Sequence, residues 1–186
     1  MDSTSRNLLL MRHAKSDWNQ SGLADIDRPL NQRGRSAAPL MAEWMVQNSY
    51  LPDSILCSSA VRTRQTLELM IQRWTAIQEH GPKIVLPTVI VDDGLYLASD
   101  AHILAAAKFN AENDEAKHCI LVLGHNPGME VLAGKLGGIA LQMPTAAIAI
   151  LTTESIDGMW PSDWSNHKLW KWRGLVKPRE LGESTI

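Results

Sequence analysis

The chain has little cysteine, almost no net charge and no long apolar run, and each shortage removes a class of protein. Of 186 residues, only Cys57 and Cys119 are cysteines, and both lie in apolar, strand-like surroundings. Two thiols cannot lace a disulfide framework or complete a zinc site, and the six histidines show no H-E-x-x-H spacing. The expectation is therefore two buried free thiols and neither a metal nor another cofactor. Net charge is −2, so no strong basic field exists to gather nucleic acid or anionic lipid. The run "AAIAIL" (Ala146–Leu151) suits a buried strand and falls far short of the roughly 20 apolar residues a membrane span needs. The opening "MDSTSRN" lacks the apolar stretch of a secretory signal, so a cytoplasmic location is expected, with neither nucleic acid nor membrane as partner.

Two suggestive segments also fail on inspection. In "GMEVLAGKLGG", five residues separate Gly128 from Gly134 where a phosphate-binding P-loop needs about four, and Leu follows the lysine in place of Ser or Thr. "KLWKWRG" interleaves aromatic and basic residues, but a lone patch on a slightly acidic chain reads as a half-buried strand, not a single-stranded nucleic-acid platform.

What is present describes a folded protein. With 45% hydrophobic and 20% charged residues, and no repeat, low-complexity tract or linker, residues 1–186 read as a single well-cored domain. Leu8–Met11 is a short apolar run suited to a strand buried on both faces. The stretch from Gly22 to Gly34 reads as a polar loop. Leu40, Met41, Trp44 and Met45 then repeat at helical spacing; Pro39 either lies in the first turn or kinks a helix begun nearer Asn31. Ser54–Cys57 is a second strand, after which Ser58 or Ser59 can cap a helix through Leu67, Met70, Trp74 and Ile77. "KIVLPTVIVDD" is β-branched but interrupted by Pro87, which places it at a sheet edge or at a break. Asp100 to Asn110 has weak helical character. "HCILVLG" (His118–Gly124) is the clearest strand, and in the following "HNPG" Asn126 reads as N-cap with Pro127 opening a helix. "AAIAILTT" and "HKLWKWRG" are two late strands. Strands alternating with helices predict an α/β fold with a largely parallel sheet and helices on both faces.

In such sheets ligands gather outside the carboxyl ends of the strands. The first strand ends on Arg12 and His13, the second leads to Arg62, and the third is followed by His125. Two arginines and two histidines thus meet at one edge, where two helix starts also direct N–H groups. A reacting phosphoryl group needs this set: guanidinium forks for its oxygens, a neutral imidazole to attack phosphorus, and a second, protonated imidazole to bind an oxygen.

These residues carry a resemblance. "LLLMRHAKSDWN" resembles the opening motif of the histidine phosphatase superfamily, Arg-His-Gly/Ala after the first strand. "SSAVRTRQT" is similar to its second arginine motif and "LGHNPG" to its second histidine motif. The match runs from Asn7 to Leu136. It implies a phosphoglycerate mutase-like three-layer fold, His13 as the nucleophile that becomes phosphorylated, and a phosphate pocket of Arg12, Arg62 and His125. Asn19 falls where the family places a phosphate-contacting asparagine, with Ser16 beside it. Many members add a glutamate as general acid in a Leu-x-Glu stretch. Here "DDGLYLASD" offers Tyr96 and Leu97 at that place, flanked by Asp92, Asp93 and Asp100. An alkoxide leaving group gains about 10²–10⁴-fold from a positioned acid, whereas the imidazole of phosphohistidine leaves readily without one. With "LNQRGR" and "LYLAS", this departure resembles the short SixA-type branch, named for phosphohistidine phosphatases, and implies a phosphorylated protein as partner. The alternatives are a phosphatase of small phosphomonoesters with Asp92 or Asp93 as a displaced acid, and a phosphate-binding module without turnover.

Overall fold

A computed structural model describes residues 5–19, 22–114, 116–154 and 159–181; both ends of the expected 1–186 domain lie outside these. Six strands, β1 (Ser5–Arg12), β2 (Ser54–Ser58), β3 (Thr88–Asp92), β4 (Cys119–Gly124), β5 (Ile148–Glu154) and β6 (Lys171–Val176), form one sheet in the order β3-β2-β4-β1-β5-β6. Neighbours from β3 to β1 pair parallel, and β5 runs antiparallel to both β1 and β6. The helices are α1 (Gln32–Gln47), α2 (Val61–His80), α3 (Asp100–Glu112), α4 (Gly128–Gly137) and the short α5 (Pro178–Leu181). No helix among the described residues is long and apolar enough to cross a membrane.

The continuous apolar run of β1 follows from this layering. Leu9 and Met11 face the side covered by Met41 and Met45 of α1 and Leu67, Met70 and Trp74 of α2. Leu8 and Leu10 face the side covered by Ile103 and Ala107 of α3 and Met129, Leu132 and Leu136 of α4. A strand whose alternate side chains meet helices on either face has no polar position. All four residues are fully buried, each burial stabilising the fold by about 1.5–3 kcal/mol. Trp74 Nε1 donates to Ala42 O at 2.9 Å and pins α2 to α1. Cys57 and Cys119 are buried free thiols, and burial pushes Cys57 up to about 12.

The structure decides between some local readings and corrects others. Asn31 caps α1 by accepting from Gly34 N, so Pro39 lies well inside the helix. Leu40 faces out at 40% exposure, and Ala38 and Ala42 complete the core-facing stripe instead. The Gly22 to Gly34 loop contains a 3-10 turn, Asp25–Asp27. Neither Ser58 nor Ser59 caps α2; its N-cap is Ala60, without a capping side chain. Asn126 does not cap α4, which starts at Gly128 behind Pro127. Pro87 directly precedes β3, the exposed edge strand, where a missing N–H disrupts no ladder.

Candidate active site

Strand register builds the site. Arg12 stands opposite Gly124 in the β1–β4 ladder, and His13 N donates to Gly124 O at 3.0 Å. The residues just beyond, His13 and His125, therefore emerge side by side, with ring centroids 5.1 Å apart. On the other flank Cys57 pairs with Leu123, so Ser58 and the first turn of α2 reach the same edge. That turn carries Arg62, which is 4% exposed. Parallel strands ending at one level turn residues distant in sequence into one cluster.

Within the cluster, donor and acceptor logic assigns the histidine tautomers. His13 Nδ1 lies 2.7 Å from Ala14 O; a carbonyl only accepts, so Nδ1 carries the proton and Nε2 keeps its lone pair. Arg62 Nε donates to that Nε2 at 3.3 Å. Arg62 Nη2 donates to His125 Nδ1 at 3.2 Å, which leaves the proton of His125 on Nε2, directed to Ser58 Oγ at 2.8 Å. Burial, and then the neighbouring cations, lowers His13 to about 4. Burial followed by His13 and Arg62 lowers His125 to about 3. Both imidazoles are neutral at pH 7, so the protonated second histidine expected from sequence is not the form these surroundings favour.

Arg62 is held from behind by a residue that the sequence reading missed. Its Nη2 meets Asp25 Oδ2 at 2.8 Å and its Nη1 donates to Asp25 O. Tyr96 Oη donates to the same Oδ2 at 2.8 Å, and its ring meets His125 edge-on at 5.5 Å. Burial pushes the Asp25 carboxyl up, but Tyr96 and Arg62 outweigh it and hold it below the usual carboxylate range. Burial and Asp25 push the Tyr96 phenol above its ordinary value. A close approach sets Tyr96 here: a Cβ on Gly128 would lie 2.1 Å from Ala98 O, so only glycine lets α4 touch the 96–99 turn.

Arg12 is placed by the loop between α4 and β5. Its Nη1 donates to Met143 O at 2.9 Å, and Asn126 Nδ2 donates to the same oxygen at 3.1 Å. Glu130 Oε2 accepts from Asn126 Nδ2 and Met143 N. Asn126 thus braces the arginine's support in place of capping a helix. Arg12 Nε is buried without a partner among the described residues, a donor left for a ligand.

The remaining candidates lie apart from this network. Ser16 is buried, and its backbone bridges to Leu30. Asn19 is exposed, its N–H on Asp17 Oδ1 at 2.9 Å. Among the described residues, neither side chain is hydrogen-bonded to the four-residue cluster. Asp92 Oδ1 accepts from Gly94 N, and Asp93 is exposed; the carboxylate on Arg62 is Asp25.

Comparison with known proteins agrees with this geometry. Residues 8–82 match the model of the histidine phosphatase superfamily (branch 1). An uncharacterized chloroplastic protein of Arabidopsis thaliana is 31% identical over 180 residues, covering 95% of this chain and 79% of that protein. The SixA protein of Nakamurella multipartitia shares the fold at 24% identity and a TM-score of 0.71, covering 94% of this chain and 96% of that one. The protein histidine phosphatase SixA complexed with tungstate does so at 21% identity and a TM-score of 0.72, with coverages of 94% and 99%. The chain belongs to the histidine phosphatase superfamily, and its fold is the phosphoglycerate mutase-like α/β sandwich.

Proposed function

We propose that this member of the superfamily is a phosphatase that works through a phosphohistidine intermediate on His13, and that its substrate is phosphohistidine on a protein partner. One observation carries the reading. His13 Nδ1–H is tied to Ala14 O while its Nε2 lone pair faces the cationic groups of the cluster. A neutral imidazole so oriented is a nucleophile aimed at the place where guanidinium groups would hold a phosphoryl group.

In the first step the Nε2 lone pair forms a bond to phosphorus as the bond from phosphorus to the substrate's imidazole nitrogen breaks. The departing ring takes the electron pair; the proton already on its distal nitrogen makes it a neutral leaving group. Arg62 gives up its contact with Nε2 and turns that donor to an equatorial oxygen, while Arg12 supplies its unpartnered Nε. A dianion beside His125 raises that imidazole's proton affinity, opposing the burial that keeps it neutral. In the second step water attacks phosphorus, the phosphorus–Nε2 bond breaks, and inorganic phosphate leaves. Tungstate, a tetrahedral oxyanion bound by a SixA protein of the same fold, is in keeping with such a pocket. Ser16 and Asn19 would line the loop side of it.

Phosphomonoester hydrolysis is the second reading, favoured by the Tyr96 hydroxyl, an O–H group that lies beside the cluster. A single panel separates the two. Turnover of a phosphohistidine-bearing protein is compared with turnover of alkyl phosphomonoesters, chelator present throughout. We expect kcat/KM for the phosphohistidine substrate to be higher by about 10²-fold, the scale on which a missing acid penalises an alkoxide. Faster turnover of the esters would overturn the substrate assignment.

A further inference from the structure

Beside the phosphoryl cluster lies a second feature, which shares Arg12 with it. A cleft of about 990 Å³ opens between the exit of β1, the start of α1, the 141–145 loop and the start of α5. Five of its lining residues are cationic, namely Arg12, Lys15, Arg33, Lys177 and Arg179, against the single carboxylate of Glu130. Glu130 Oε2 is turned into the loop brace already described. Lys177 pairs with Glu180 at 3.1 Å. Lys15, Arg33 and Arg179 are exposed and have no carboxylate partner among the described residues. For a chain of net charge −2, this is a local excess of positive charge that no carboxylate among the described residues balances.

The excess is built in by close packing. Asn31 N donates to Lys15 O at 3.0 Å, and a Cβ on Gly34 would lie 2.3 Å from the same oxygen. The first turn of α1 therefore rests directly on the strand exit and brings Arg33 to Lys15. That turn holds arginines at 33 and 35 and no acidic residue, the reverse of what the positive end of a helix dipole favours. A local arrangement that opposes its own electrostatics is expected where a ligand supplies the missing charge.

The walls also restrict the ligand. Among the described residues no aromatic side chain lines the cleft, so a nucleobase has nothing there to stack upon. Leu40, Leu141 and Leu175 give it apolar stretches between the cations, which suit aliphatic side chains better than a bare polyphosphate. Its volume stands at the upper end of small-molecule pockets, roughly 300–1,000 Å³. Arg12 belongs both to this cleft and to the His13 cluster, so a ligand here is continuous with a phosphoryl group there. We propose that the cleft receives an acidic segment of the phosphorylated protein, with carboxylates on Lys15, Arg33 and Arg179 and aliphatic side chains between them. This rests on the protein-phosphohistidine reading.

The test uses two synthetic phosphohistidine peptides that differ only in flanking residues, glutamates in one and serines in the other. The wild-type protein should favour the glutamate peptide in kcat/KM by about tenfold, a preference that added salt erodes. In the double variant R33E/R179E the preference should vanish, while kcat on phosphoramidate stays within about twofold. An equal rate for both peptides in the wild type, or a preference that survives the double variant, overturns the proposal. So does a parallel loss on phosphoramidate, which would make the arginines structural. Direct binding of the unphosphorylated glutamate peptide, followed by anisotropy beside tripolyphosphate, separates this failure from failure of the reaction assignment. If neither phosphopeptide is hydrolysed, the phosphohistidine reading falls, yet peptide binding lost in R33E/R179E still supports the docking site. Arginine-dependent binding of tripolyphosphate without binding of the peptide assigns the cleft to a small polyanion and ends the proposal.

Discussion

The phosphoryl cluster and the cleft next to it share Arg12 but are built on opposite plans. In the cluster nearly every polar atom has a partner: Arg62 alone donates to His13, to His125 and twice to Asp25. In the cleft three of five cations stand without a counter-charge among the described residues, on exposed, flexible side chains. Partners on all sides fix geometry to within the tolerance that bond making demands. Unpartnered charges on mobile stems attract and sort ligands but cannot hold a reacting atom in place. Damage to the cluster should therefore lower kcat on every substrate, and damage to the cleft should alter only which substrate is preferred.

The comparison breaks most easily at His13. H13A removes the proposed nucleophile, and kcat should fall by about 10⁴-fold or more on any phosphorylated substrate. Acid quenching with labelled substrate should trap phosphate on the wild-type protein and none on H13A. Phosphate trapped on H13A would move the intermediate to another residue and dissolve the division between the two regions. Retained phosphate affinity without phosphoenzyme in the wild type would instead mark a binding module.

A smaller loss should follow D25N. Asp25 contacts neither histidine; it anchors Arg62, and its role is to position that guanidinium. Loss of a hydrogen bond to a charged group costs about 1.5–3 kcal/mol, or roughly 10–100-fold in kcat. The pH profile supplies a readout that mere loosening would not move. His13 must be neutral to attack, so the acid limb of kcat/KM should lie near its value of about 4, not near 6.5. The negative charge of Asp25 favours the imidazolium of His13; without it the limb should shift to still lower pH. An upward shift would contradict the electrostatic account.

How far these two regions could be read from sequence follows from what joins them. Arg12, His13, Arg62 and His125 were legible because each follows a strand or opens a helix, and parallel strands end together. Pro87 left an edge or a break open for β3, and the structure shows the edge. Asp25 was not legible, since it sits in a 3-10 turn inside a polar loop, and only the tertiary path of that loop brings it to Arg62. Ser58 and Asn126 read as helix caps by residue type, but tertiary partners took both: His125 claims Ser58 Oγ, and Met143 O with Glu130 claims Asn126. The cleft left no motif at all. Its cations come from three segments, two of which are joined by Gly34 packing against Lys15 O, and no pattern along the chain encodes that contact.

The mildest test falls on Tyr96, which lies against Asp25 and His125 and divides the two readings of the reaction. Its hydroxyl donates to Asp25 Oδ2, the oxygen that also holds Arg62. If the phenol only steadies that carboxylate, Y96F removes one hydrogen bond worth about 0.5–1.5 kcal/mol, and kcat should fall by about two- to tenfold. The loss should then be the same whatever group leaves, because positioning of Arg62 serves every substrate alike. If the phenol protonates the leaving group, the loss must grow with leaving-group basicity. Alkyl phosphates would suffer by about 10²–10⁴-fold, while p-nitrophenyl phosphate and phosphohistidine would scarcely change. We expect the uniform loss. The phenol's proton is already committed to an anionic carboxylate, and burial beside Asp25 raises its proton affinity, which weakens it as an acid. A steep dependence on the leaving group would transfer Tyr96 from support to chemistry and make ester hydrolysis the better description of this site.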